Sequence, residues 1–249
     1  MERLEERTHQ SIQHHEVLLE AAEQVKAGLR ILRVKALQII LMGPQGSGKG
    51  TQGSRLASSL KTSQVTTGDI CRKIEKENTP LGREVKKLID NGKLVPDDVM
   101  DQLVKQRLSQ EDCKKGFILD GYPRTLVQAK FLDTIAKVEK VVVLNIPEKT
   151  TIDRVSSRRV CKKCGANFNL KTMKPRLEGI CDVCGNELIT RPDDHPSAIK
   201  KRLELYHKET APIINYYKKK HLITVIDAAP SIEEVQKVLV RMLRKRKTK

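Results

Sequence analysis

Apolar residues along this chain gather into short, nearly continuous runs separated by longer stretches of helical spacing. The runs are "LQIILM" (37–42), "FILD" (117–120), "VVVLN" (141–145) and "ITVID" (223–227). Runs this short and this apolar read as strands buried on both faces of a parallel sheet. Between them, 51–60, 97–109, 125–136 and 197–219 carry the spacing of helices. Strand and helix in alternation predict a doubly wound α/β fold with helices on both faces of the sheet. Ligands are then expected at the carboxyl ends of the strands.

The two ends of the chain depart from this pattern. In residues 1–36, Leu18, Ala22, Val25, Leu29 and Leu32 step by four and three, the seam of an amphipathic helix. A helical extension is expected there, lying on the main domain or serving as a self-association seam, with disorder as the remaining alternative. From 235 to 249 there are seven basic residues and no acid, within a chain of formal net charge +17. That stretch reads as a helix end fraying into a basic tail.

The basic excess favours polyanionic partners, which include nucleic acid, anionic membrane and nucleoside phosphates alike. Aromatic residues make up only 3% of the chain, with no Trp, so platforms for stacking single-stranded bases are scarce. No apolar run approaches the roughly 20 residues of a membrane span. A cytoplasmic monomer away from membranes is expected, with its thiols reduced.

The first apolar run leads into "GPQGSGKGT" (43–51) and then a helix. Glycine lets such a loop turn its N–H groups toward phosphate oxygens, and the helix adds its positive end. Gly46, Ser47, Gly48, Lys49, Gly50 and Thr51 would cradle a nucleotide's phosphates, with the Lys49 ammonium on the outer ones. The usual hydroxyl arrives one position late, at Thr51.

That G-K-G-T ending resembles the phosphate loop of adenylate kinases. Similar motifs follow in order: "TTGDICR" (66–72), "NGKLVPD" (91–97), "GFILDGYPRT" (116–125), "DRVSSRR" (153–159), "TRPDD" (190–194) and "KKRLELYHKETAPIINYY" (200–217). The resemblance spans about 37–235. It implies a P-loop NTPase-type sheet of five parallel strands, a helical acceptor insertion over 66–95 and a lid over 159–194. The implied reaction is reversible transfer of a phosphoryl group from MgATP to AMP, giving two ADP.

Residue roles follow from the same resemblance. Lys49 and Arg124 contact phosphates of donor and acceptor, while Arg158, Arg191 and Arg202 converge on the transferring group. Arginine suits this because its planar fork stays charged and bonds oxygens in pairs. Asp120 holds water around Mg²⁺; the lesser alternative is a strand-end turn residue. Asp193 and Asp194 orient arginines, and Asp194 could also cap the helix beginning near Ser197. Thr67, Arg72, Lys93, Leu94, Val95, Gly121, Arg124 and Gln128 hold AMP, with Arg191 and Arg202 at its phosphate. Arg154 stacks on the donor's adenine.

Two C-x-x-C-G units, Cys161/Cys164 and Cys181/Cys184, stand sixteen residues apart. Such spacing lets one turn offer two thiolates to a tetrahedral ion, and four cysteines close the shell, so the metal is structural zinc. Alone in a basic chain this could be a nucleic-acid ribbon, with the basic tail as a second contact. Lying between "DRVSSRR" and "TRPDD", it reads as a metal-stapled lid. Cys71 and Cys113 stand apart and are expected to be buried small residues. A kinase for another nucleoside monophosphate is the nearest alternative function.

Overall fold

The computed structural model describes residues 37–244 except Asn78 and Gly92. The expected extension over 1–36 and the last five residues of the basic stretch lie outside the described residues.

Five strands form the main sheet: β1 (Leu37–Met42), β2 (Ser63–Thr66), β3 (Gly116–Asp120), β4 (Lys140–Asn145) and β8 (Ile223–Asp227). Their order is β2-β3-β1-β4-β8 and every pairing is parallel. Ile39, Ile40, Ile118, Leu119, Val141 and Val142 have no exposure, which is why the three central strands carry apolar residues at successive positions; β8, expected to be buried on both faces, is instead an edge strand with Val225 exposed. Helices α1 (Lys49–Leu60), α2 (Thr67–Lys76), α3 (Pro80–Asp90), α4 (Asp97–Leu108), α5 (Leu126–Ile135) and α6 (Glu148–Ser156) follow in turn. Helices α7 (Pro196–Leu205), α8 (Ala211–Lys219) and α9 (Ile232–Arg244) complete the set.

The 197–219 stretch is helical throughout but not uniform. A π-helical turn, Tyr206–Thr210, separates α7 from α8. Pro212 lacks the N–H that Lys208 would otherwise receive, so the ladder changes register there. The turn has a use, because Thr210 Oγ1 donates to the carbonyl of Arg124 at 3.0 Å.

The 235–249 stretch is corrected at its start. Val235, Leu239 and Leu243 are buried along one face of α9, so 235–244 is packed helix rather than tail.

Two excursions leave the sheet. Helices α2 and α3 form the first, each capped by a threonine: Thr66 accepts from Asp69 N and Thr79 from Gly82 N. The second is a small three-stranded antiparallel sheet, β6-β5-β7, made of β5 (Arg158–Cys161), β6 (Asn167–Asn169) and β7 (Leu188–Ile189). Its buried centre is only Cys161, Phe168, Cys181 and Leu188, with Ala166 against it.

Candidate active site

All five strands of the main sheet run the same way, so their carboxyl ends open on one cavity of about 1050 Å³. The loop after β1 forms its floor. At Gly43, φ is +141° and a Cβ would sit 2.4 Å from the carbonyl oxygen of Leu144, so no other residue fits. Helix α1 then starts with no side-chain cap and no acidic residue in its first turn. Its orphan amides are left for an anion, unlike those of α2, α3 and α5, which threonines cap.

Lys49 occupies this floor. Its Nζ donates to the carbonyls of Gly43 and Pro44, both at 2.8 Å. Burial lowers the ammonium to about 8; Asp120 opposes that, and Arg124, Arg202 and Arg158 reinforce it. Asp120 ends β3, with Oδ2 3.7 Å from where a Cβ on Gly50 would lie. Desolvation raises its carboxyl, against the pull of Lys49 and Arg124.

Four arginines face this floor from different elements: Arg124 from the loop after β3, Arg158 from β5, Arg191 after β7, and Arg202 from α7. Two of them are held by the turn Pro192–Asp194. Arg158 Nε donates to Asp194 Oδ2 at 2.7 Å and its Nη2 to Oδ1, while Arg202 Nη1 donates to Asp193 Oδ2 at 2.8 Å and to Asp194 Oδ1 at 3.4 Å. Asp194 is therefore the buried anchor of two arginines. It does not cap α7: His195 does, its Nδ1 accepting from Ala198 N at 3.3 Å. The helix starts at Pro196, one residue too late for Asp194 to be its N-cap.

Arg191 is pushed down to about 10 by burial and by its neighbours Arg158 and Arg72. Its Nη2 donates to Asn167 Oδ1 at 2.7 Å. Its buried Nε meets no acceptor, a donor left for an anion.

The residues expected to hold AMP surround the same cavity, between β3 and the α2–α3 excursion: Thr67, Arg72, Lys93, Leu94, Val95, Gly121 and Gln128 all line it. Thr67 Oγ1 donates to the carbonyl of Gly121 at 3.0 Å, and Arg72 Nη2 pairs with Asp69 Oδ1 at 2.5 Å. Arg124 Nε donates to the carbonyl of Gly121 at 2.8 Å. Gln128, only 2% exposed, accepts at Oε1 from Arg124 N at 2.7 Å and donates through Nε2 to Asp97 Oδ1 at 2.8 Å.

On the far side, beyond the phosphate loop, Arg154 donates to the carbonyls of Ala228 at 2.9 Å and Ala229 at 2.8 Å. These bonds pin its guanidinium beside the loop after β8, which lines the cavity through Ile232.

The four cysteines meet. Their Sγ atoms all lie within 4.8 Å of one another, with Cys161 to Cys184 at 3.4 Å and Cys164 to Cys181 at 3.6 Å. Four ligands at about 2.3 Å around a tetrahedral ion put sulfurs roughly 3.8 Å apart. Burial raises the Cys161 thiol, but N–H groups of Cys164 and Lys163 and the sulfur of Cys184 overcome it and bring it to about 6. A thiolate is the form that binds metal. Cys71 and Cys113 are buried elsewhere.

Some residues of the site escape the motif reading. Asp97 holds Gln128, Asp69 holds Arg72, and the stretch Asn167–Asn169 ties the small sheet to two arginines. Asn167 accepts from Arg191, and Asn169 Nδ2 donates to the carbonyl of Arg154 at 2.9 Å. Asp97 closes the 91–97 motif, and its place after Pro96, where an acidic residue suits a helix start, is a second sequence signal, but neither points to its hold on Gln128.

A glycine-rich phosphate loop, a five-stranded parallel sheet and two excursions closing on one cationic cavity define a P-loop nucleotide phosphotransferase. The comparisons are more specific. A sequence model described as adenylate kinase matches residues 41–222. The adenylate kinase of Treponema denticola is 49% identical over 80% of this chain and 95% of its own length. That of Caldicellulosiruptor bescii is 44% identical over 83% and 99%, and one from Clostridium botulinum is 45% identical over 80% and 94%. The chain belongs to the adenylate kinase family.

Proposed function

We propose that this cavity carries out the adenylate kinase reaction, ATP and AMP going reversibly to two ADP, with the residue roles set out below. The observation that carries the reading is the convergence of Lys49, Arg124, Arg158, Arg191 and Arg202 from five separate segments on one cavity. Transfer between two anions needs cations and alignment more than covalent chemistry.

The donor's phosphates lie on the amides of Gly46 to Thr51 and the Lys49 ammonium, with the adenine against Arg154. The acceptor lies between Thr67, Arg72, the backbone of Lys93 to Val95, Gly121 and Gln128. Arg124 takes the acceptor phosphate. Arg158, Arg191 and Arg202 surround the group in transit, and Asp193 and Asp194 fix two of them. Asp120 faces the phosphate loop and would hold waters of a Mg²⁺ that neutralises phosphate charge when bound.

The four cysteines are suited to structural zinc. Their sheet carries Arg158 at one end and is followed by Arg191 at the other, so the same body that covers the cavity delivers the arginines. Covering it excludes water, which would otherwise take the phosphoryl group. No described helix is long and apolar enough to cross a membrane. A reducing compartment would keep these thiols free for metal.

Initial rates with ATP and a panel of AMP, GMP, CMP and UMP, alongside metal analysis of the same preparation, test the reading. AMP is expected to be the best acceptor and one zinc per chain to be found. Better use of another acceptor would overturn the specificity.

A further inference from the structure

The amide of Gln128 is bound at both ends by groups that cannot change roles. A backbone N–H only donates, so Arg124 N selects Oε1; an ionised carboxylate only accepts, so Asp97 Oδ1 selects Nε2. Asp97 is itself fixed, its Oδ2 accepting from Thr125 Oγ1 at 2.7 Å, while Thr125 caps α5, the helix that carries Gln128. Turning the amide over would set Oε1 against a carboxylate and Nε2 against an N–H. At 2% exposure no water is available to relieve either clash.

One N–H of Nε2 and one lone pair of Oε1 remain, on a side chain that lines the cavity. An adenine edge presents an acceptor at N1 beside a donor at N6, whereas hypoxanthine and guanine present a donor at N1 beside an acceptor at O6. An amide can serve either edge, but only by exchanging its two ends.

We infer that Asp97 is a specificity-determining, positioning residue: by holding the Gln128 amide in one orientation it makes the acceptor site select adenine over 6-oxopurine monophosphates. The inference rests on the reading that Gln128 meets the acceptor base. Asp97 acts through Gln128 and need not touch the nucleotide.

The test compares kcat/KM for AMP and inosine monophosphate as acceptors of ATP in the full-length protein. These two nucleotides differ at the edge in question and not in size. Asp97→Ala removes the bond that orients Gln128, together with that from Thr125, so the AMP-to-inosine monophosphate ratio should fall about tenfold, through a higher KM for AMP with KM for ATP unmoved. Asp97→Asn keeps the volume and should move the ratio in the same direction, which covers a failure of the alanine variant to fold. In a Gln128→Ala background, Asp97→Ala should leave the ratio where Gln128→Ala alone puts it.

A ratio lost in Gln128→Ala but kept in both Asp97 variants would overturn the inference while sparing the acceptor site. A ratio unchanged in Gln128→Ala would remove the base contact itself, and the inference with it.

Discussion

Arg158 and Asp194 form a two-point ion pair in which the aspartate side chain has no exposure and the arginine side chain 18%. Removing one partner of a buried pair leaves a charge with neither water nor counterion. Here Arg202 also shares Asp194, so it would be left with Asp193 alone while Arg158 lost its only ion-pair partner among the described residues. Asp194→Asn is expected to lower unfolding free energy by about 3–5 kcal/mol. Misplacing both arginines should cut kcat on the order of 100-fold. Thermal denaturation with initial rates checks both, and an unchanged melting temperature would show that the pair is dispensable.

Lys49 makes phosphate binding depend on pH. Its proton leaves the empty site near 8, far below the ordinary 10.5, so kcat/KM for ATP should decline as pH rises through about 8. Bound phosphates restore the proton, and kcat should show no break there. The stability sign is opposite. Between 8 and 10.5 the unfolded chain binds more protons than the folded one, so this residue's contribution becomes more favourable as pH rises across that window. Below it the buried charge is a constant burden that Lys49→Met removes along with activity. Rate profiles and melting curves from pH 6 to 10 read all three.

Gly121 sits at φ +83°, and a Cβ there would lie 2.6 Å from Thr67 Oγ1. Gly121→Ala strains the backbone and pushes Thr67 away from the acceptor side. A stability loss of about 1–3 kcal/mol is expected. KM for AMP should rise, with KM for ATP little changed. Equal rises in both would argue against a local effect.

The small sheet has four buried residues at its centre, two of them cysteines, which is too little core to fold without help. Cys161→Ser is expected to abolish zinc retention and lower the first thermal transition, leaving part of the activity at low temperature. Full zinc content with unchanged melting would refute the ligand assignment.

The strands of the sheet's centre were legible because burial on both faces demands continuous apolar sequence. Strand β2 was not: it is an edge strand of sequence SQVT with a single buried position, and it pairs with β3 alone. The lid strands are two to four residues long, too short for any period to emerge. Site residues in glycine-rich or arginine-bearing motifs stood out. Asp97, Asn167 and His195 did not, since their roles depend on partners up to 31 residues away or on a helix boundary shifted by one.

The turn Pro192–Asp194 has a consequence for the empty enzyme. Around the cavity Lys49, Arg55, Arg72, Lys93, Arg124, Arg154, Arg158, Arg191 and Arg202 stand against Asp69, Asp120, Asp193, Glu233 and the buried Asp194, so cations outnumber anions even with both turn carboxylates engaged. If the small sheet covers the cavity as proposed, its Arg158 and Arg191 are repelled by the cations beneath until a polyphosphate arrives as counterion. On that reading the nucleotide is the latch as well as the cargo, and the enzyme without it has little tendency to seal around water.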